Sequence, residues 1–545
     1  SLCFASVSAA MCGNWGLLSL AECVVQARTN GEVVPECFEK LLAKMLAVIE
    51  MRGAQAGGIA CILAGDGAED GAWSCRVRVL KAKRGELCKS IFSSLHRKLA
   101  RHHCLWRRLI PCCRKVPRKT LILQGHSRFG TSSAPAVIET HPHQWTPAQT
   151  RRVWSWDATN GWSWKTVDCT LTITHNGDFD AWRPYRDMVD VGVLGHWLDR
   201  ILCVRSPAHG DSSKIAGVLE LLACQSVWFH SVRLAFHLYI ACHVEQASSW
   251  APLGSSAPSS VPNDATIQVW ASVFEEQFAT LVSESGNPQR PLAEESPTLA
   301  AFVHATVHAL QSRSISHDLE KWIDVGRIPI FVRKAAEAFR DNDLLAATTA
   351  FLRRAEGTFG LTVASTLYPR QVVIAARGQP MSVGFCKGTM EDCPSLAVWS
   401  SERAALDAVV RSGGAKTLAI SARLDLDDQF GEVVELSAPH LAAEGTPAID
   451  GFRVALTDKV GQGSSGVSVR GIHFGSSQLP EEKWVPTLLS EAIFRDRLTW
   501  LITEEKRPAA YASKNEVKDG SCSLECRSGS DIVAMDLEEI PRLLN

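Results

Sequence analysis

From residue 201 to about residue 345 the apolar residues of this chain recur at helical spacing, while the segments on either side are short, apolar and strand-like. On the N-terminal side lie LILQGHSRF and CTLTITHNGDF, each ending in a Gly-containing turn. On the C-terminal side FGLTVAST, QVVIAARG, MSVGF, SLAVWSS and GEVVELS follow one another up to about residue 437. Strands, then helices, then strands predict one α+β domain split by a large helical insertion.

This pattern divides the chain into five parts. Residues 1–11 read as a leader or a mis-assigned start, and 12–200 as the first part of the split domain. Residues 201–344 form the helical insertion, 345–437 the second part, and 438–545 a linker or partial C-terminal domain. Within the first part, Cys37 to Met51 carries apolar residues at three- and four-residue spacing and predicts a helix. A second helical segment is expected near Trp484 to Leu501, and Ser248 to Asp264, crowded with Ser, Pro and Ala, reads as a surface loop.

A formal net charge of −1 over 545 residues gives no global argument for nucleic acid or an acidic membrane, so charge is read locally. The strongly basic stretch 81–119 is read as a solvated surface insertion, with an amphipathic membrane helix or a nucleic-acid patch as the competing readings. No apolar run reaches the roughly eighteen residues of a spanning helix. The nearest, Val227 to Val244, contains His230, Arg233 and His237 and predicts a buried or amphipathic helix. The 18 cysteines follow no disulfide framework, which points to reduced thiols and a cytoplasmic setting. Cys112-Cys113 and Cys522 with Cys526 resemble metal-ligand fragments, but neither has a second pair.

Chemistry enters at Met11-Cys12-Gly13-Asn14-Trp15-Gly16. A Cys directly after a removable Met can become an N-terminal residue. Its thiol then attacks while its own α-amine, with an ordinary pKa of roughly 7.7–8.0, takes the proton. Taken alone, in a chain of 18 cysteines, the motif reads by default as a structural Cys. Further along, Gly125-His126-Ser127-Arg128-Phe129-Gly130-Thr131-Ser132 ends a strand and sets one guanidinium beside hydroxyls, a combination able to hold a carboxylate. Thr140-His141-Pro142-His143 follows. Then His175-Asn176-Gly177-Asp178 closes a strand, where an Asn amide and a Gly N–H can form an oxyanion hole or simply a hairpin turn.

In this order the segments resemble the glutaminase domain of class II glutamine amidotransferases, members of the N-terminal nucleophile hydrolase superfamily. The likeness extends to the glutaminase half of the glutamine–fructose-6-phosphate aminotransferases. Met51-Arg52-Gly53-Ala54-Gln55-Ala56-Gly57-Gly58 is similar to that family's Arg-Gly-…-Ala-Gly segment, and Asp190 to His196 to its Asp-Thr-Glu-Val-Ile-Ala-His stretch. EGTFGLTVAST, VVIAARGQPMSVGF and LAVWSSERAAL look like its return strands, so the resemblance covers about 12–200 and 345–437. It departs at Phe129, where the family has Trp, at Ser132 for a His and at Gly192 for a Glu.

The resemblance implies a four-layer αββα sandwich of two largely antiparallel sheets. It also implies that Cys12 attacks the glutamine side-chain amide, forms a γ-glutamyl thioester and releases ammonia. Asn176 and Gly177 would stabilise the oxyanion, Arg128 the substrate α-carboxylate and Asp190 its α-ammonium; Phe129, Thr131 and His143 would line the pocket. Ammonia would pass to an acceptor, for instance fructose 6-phosphate in amino-sugar synthesis, held by a synthase or isomerase domain or subunit. The step requires no metal or organic cofactor, because thiol and amine suffice. Residues 1–11 must be absent for the α-amine of Cys12 to act. Two other outcomes stay open: an amidohydrolase acting on another γ-glutamyl or amide substrate, and a non-catalytic scaffold of the same fold. The tryptophans Trp145, Trp154, Trp156, Trp162 and Trp164 read as packing or as a lid.

Overall fold

The computed structural model describes residues 12–20, 36–49, 56–65, 74–83, 119–128, 137–147, 149–157, 160–206, 208–250, 261–284, 290–312, 319–387, 396–410 and 419–437. Beyond these it describes 452–454, 467–474, 487–488, 493, 496–497 and 499–500. The leader, most of the basic stretch and all four metal-fragment cysteines therefore lie outside the described residues, as do Phe129 and Thr131.

The first ten strands are β1 (Gly13–Leu20), β2 (Ala56–Gly65), β3 (Ser74–Lys83), β4 (Lys119–Arg128), β5 (His143–Trp145), β6 (Arg151–Asp157), β7 (Gly161–Val167), β8 (Leu171–Asn176), β9 (Phe179–Trp182) and β10 (Val189–Asp190). After the helices come β11 (Ala355–Gly357), β12 (Phe359–Ser365), β13 (Gln371–Arg377), β14 (Ser382–Lys387), β15 (Leu396–Ser400), β16 (Ala419–Asp425) and β17 (Glu432–Ser437). The last are β18 (Phe452–Val454), β19 (Val467–His473), β20 (Thr487–Leu488) and β21 (Thr499–Trp500).

The chain is mixed α+β with two large antiparallel sheets. One runs β21-β16-β14-β15-β1-β4-β2-β3, the other β18-β19-β17-β13-β12-β8-β5 with β20 beside β19. Strands from both ends of the sequence meet in each. β1 lies between β4 and β15, and β12 pairs with β8 from Gly360 opposite Asn176 to Ser365 opposite Leu171. The strands after residue 437 extend these sheets, β19 on β17 and β21 on β16.

Alternation along each strand decides what the sheets bury. Val372, Ile374 and Ala376 of β13 face Leu18, Ile122 and Trp399 of the first sheet in a shared apolar core. Val373 and Ala375 turn the other way, onto helices Val191–Ile201, Asp211–Leu222 and Leu344–Arg354. Each valine, leucine or isoleucine among them, fully withdrawn from water, contributes about 1.5–3 kcal/mol. Helices Glu36–Ile49 and Arg403–Val410 pack on each other and against the first sheet, where they touch β1, β15 and β16.

At one end of the sheet interface the filling is polar and paired. Gln124 of β4 donates to Thr362 O at 2.7 Å and accepts from Thr172 Oγ1 at 2.8 Å, while Asn14 Nδ2 donates to Gly360 O at 2.6 Å. Buried amides left unpaired would cost about 1–3 kcal/mol each, so these bonds fix one sheet's position over the other.

Between β10 and β11 the chain is helical. Its middle portion builds a second core around Trp228, whose ring stacks on Phe339 at 4.0 Å and on Phe302 at 5.2 Å. Val227 to Leu238 is buried here, as helix Trp228–Leu234 and the start of a π-helical stretch Ala235–Ala241, while Tyr239 is exposed. The hairpin β6–β7 joins this core through Trp154 and Trp162, both edge-on to Phe278, so these two tryptophans pack rather than cover a pocket. Trp164 is exposed at 47%.

Around 484–501 the described residues are the short strands β20 and β21 and, between them, helical positions at 493, 496 and 497. Thr487 pairs with His473 and Trp500 with Ala422, and the rest of the expected helical segment lies outside the described residues. Among the described residues no helix is long and apolar enough to cross a membrane.

Candidate active site

Cys12 stands, half-buried, immediately before β1. The start of β1 is held by the end of β15: the Asn14 N–H donates to Ser401 Oγ at 3.0 Å, and the Ser401 N–H returns a bond to Asn14 O at 2.9 Å. Across the sheet interface β8 ends at Asn176, whose Nδ2 donates to the Cys12 carbonyl oxygen at 3.0 Å. Residues 164 positions apart are thereby brought into direct contact.

Next to Asn176, Gly177 has φ +116°, a conformation that L side chains rarely adopt, and a Cβ there would lie 2.0 Å from Thr358 O. The Asn-Gly pair is thus held in a form that only glycine accommodates. β4 contributes His126 and Arg128 from one face, since residues two apart on a strand point the same way. His126 Nε2 lies 3.1 Å from Asn176 Oδ1, and Arg128 Nη1 donates to Glu139 O at 2.9 Å.

Proton positions follow from these partners. Asn176 Nδ2 is the donor to Cys12, so its Oδ1 must accept, and His126 carries its proton on Nε2. Burial pushes the His126 pKa down to about 3, only partly offset by the bond to Asn176, so the ring is neutral at pH 7. It stacks on His141 at 4.2 Å, and His141 meets His143 edge-on at 4.3 Å. His141 Nδ1 accepts from the His175 N–H at 3.1 Å, which places its proton on Nε2. The imidazoles stack rather than converge, and among the described residues no group of three His, Cys, Asp or Glu is arranged to hold a metal ion.

Of the expected site residues, then, Cys12, Asn176 and Gly177 come together, with Arg128 two residues beyond His126 on the same strand. His143 is buried on β5, in edge contact with His141 and one strand away from His175 on β8. Asp190 is exposed and serves locally as the N-cap of helix Val191–Ile201, its Oδ1 accepting from the Gly192 N–H at 2.7 Å. His126, Asn14 and Glu139 had no assigned role in the sequence. The signal for His126 was present: Gln124, His126 and Arg128 form a polar stripe at period two in an otherwise apolar strand.

Compared with known families and with curated proteins, the chain matches no family model and no curated sequence.

Proposed function

We propose that this protein is a glutaminase of the class II amidotransferase kind, built on an N-terminal nucleophile αββα sandwich, with Cys12 as its nucleophile. The observation that carries this reading is the Asn176 carboxamide, bonded to Cys12 itself and backed by neutral His126. A structural Cys beside a hairpin turn gives no reason for a buried histidine to fix that amide's orientation.

Once the residues before Cys12 are removed, its α-amine takes the thiol proton and the sulfur attacks the glutamine Cδ. The C=O electrons move to oxygen, and the Asn176 amide with the Gly177 N–H receives that charge. Donors of this kind are worth about 3 kcal/mol each. Collapse expels ammonia, protonated by the former thiol proton, and leaves the γ-glutamyl thioester. Water, deprotonated by the same amine, then releases glutamate. Arg128 and Asp190 supply the fixed cation and anion that a zwitterionic amino acid needs, and His143, Phe129 and Thr131 belong to the pocket wall. Ammonia leaves for an acceptor site on a further domain or partner.

Ammonia release from glutamine by protein beginning at Cys12 tests the reading. The expected result is turnover abolished by Cys12→Ala; hydrolysis that persists in Cys12→Ala would sink it.

A further inference from the structure

A cavity of about 330 Å³ opens between helices Val191–Ile201 and Asp211–Leu222, and nothing in the mechanism above uses it. Its wall carries three basic side chains, Arg200, Arg205 and Lys214, against a single carboxylate, Asp199, with the Trp250 ring beside them. His196 and His209 also reach it. The volume is that of a small-molecule site and far too small for a polymer segment.

Lys214 is the most informative member. Its Nζ donates only weakly, to Ala208 O and Ser213 Oγ at 3.3 Å each, and it forms no salt bridge with a described residue. Burial lowers its pKa, with Asp199, Glu139 and Asp211 only partly offsetting this. Room for its stem comes from Gly195, in the middle of a helix, where a Cβ would lie 2.6 Å from Lys214 Cε. Glycine there weakens the helix relative to alanine. Asp199 accepts from the Ser206 N–H at 3.0 Å and keeps its charge, so the lining sets three basic side chains against one carboxylate.

We propose that this cavity binds a small phosphate-bearing anion. A phosphate dianion matches the net positive wall and offers three oxygens to donors arriving from two helices and the loop between them. The cavity is also tied to the glutamine site through one residue. Glu139 accepts from the His209 and Gly210 N–H groups at 2.8 and 2.9 Å with its carboxylate, and from Arg128 with its main-chain oxygen. Resting on the glutaminase reading, an anion that draws on His209 shifts Glu139 and with it Arg128, and hence the KM for glutamine.

The test is calorimetric titration of the Cys12→Ala protein with inorganic phosphate and, separately, glycerol phosphate, at constant ionic strength in chloride. Saturable one-to-one binding is expected, weakened about tenfold or more in Lys214→Gln and in Arg205→Gln. Both variants should keep the parent melting temperature in chloride. The tighter of the two probes tells whether the natural ligand is free or esterified phosphate. No saturable binding of either probe at millimolar concentration, or equal binding in the variants, overturns the site. Because the titration needs no turnover, phosphate bound by a protein that never hydrolyses glutamine would leave the site standing and remove only the glutaminase reading.

Discussion

His126 and Asn176 are locked as a pair: His126 Nε2 lies 3.1 Å from Asn176 Oδ1 while the amide nitrogen donates to the Cys12 carbonyl, 3.0 Å away. The carbonyl can only accept, which sets the amide, and the buried neutral ring completes its other end. His126→Ala should therefore lower kcat for glutamine hydrolysis at least tenfold with little change in KM, because a mis-set donor loses about 1–3 kcal/mol of charge stabilisation. Steady-state ammonia release checks this. Unchanged kcat would show that Asn176 needs no such partner.

Gly177→Ala should be costly in both stability and activity. The new Cβ would meet Thr358 O at 2.0 Å, and alanine resists φ +116°. Strain of this kind is worth about 1–3 kcal/mol. Urea denaturation should show a lower midpoint and kcat should fall; a midpoint equal to that of the parent would mean that the turn relaxes freely.

Asp190 separates a structural role from a binding one. Asp190→Asn keeps an N-cap acceptor for the Gly192 N–H but removes the charge. It should raise KM for glutamine with the melting temperature nearly constant. Asp190→Ala should raise KM and also cost about 0.5–2 kcal/mol as the cap is lost. Equal KM values in parent and Asn variant would release Asp190 from substrate binding.

Acid should destabilise the protein above the pH at which ordinary carboxylates titrate, opposed in part by Glu220, whose pKa burial pushes up to about 7. Burial pushes the pKa of His126 down to about 3 and lowers those of His175, His230 and His237. An unfolded histidine titrates near 6.5. The stability these neutral rings carry is therefore complete above about pH 6.5 and is lost as pH falls toward their folded values. His126 alone accounts for about 2 kcal/mol between pH 6.5 and 5. Urea midpoints measured at pH 7.5, 6.5 and 5.5 should fall steeply over the last step and less so in His126→Gln. A flat series would contradict the neutral, buried state of the cluster.

Much of the fold was legible because it rests on local pattern. The helix at Glu36–Ile49 and strands β4, β8, β12 to β15 and β17 follow their apolar spacing within a few residues. β16 went unread, since AISARLD interleaves Arg423 and Asp425 whose charges are paired with each other and with Asp407 only in three dimensions. The strands at 487–488 and 499–500 are set by their partners in the sheets, a non-local cause that spacing does not carry. At the site, residue types announced Cys12, Asn176 and Gly177, but the part played by His126 depends on a contact between sheets. The cationic cavity was invisible for the same reason: Arg200, Arg205 and Lys214 share no sequence pattern and meet only where two helices and their connection form one opening.

The central claim is that Cys12 is a glutamine-directed nucleophile, and intact mass spectrometry before and after treatment with 6-diazo-5-oxo-norleucine tests it most directly. The account predicts a chain that begins at Cys12 and gains one adduct on that residue, absent in Cys12→Ala. A chain that starts at Cys12 and takes no label, or is labelled equally well without the thiol, would contradict it.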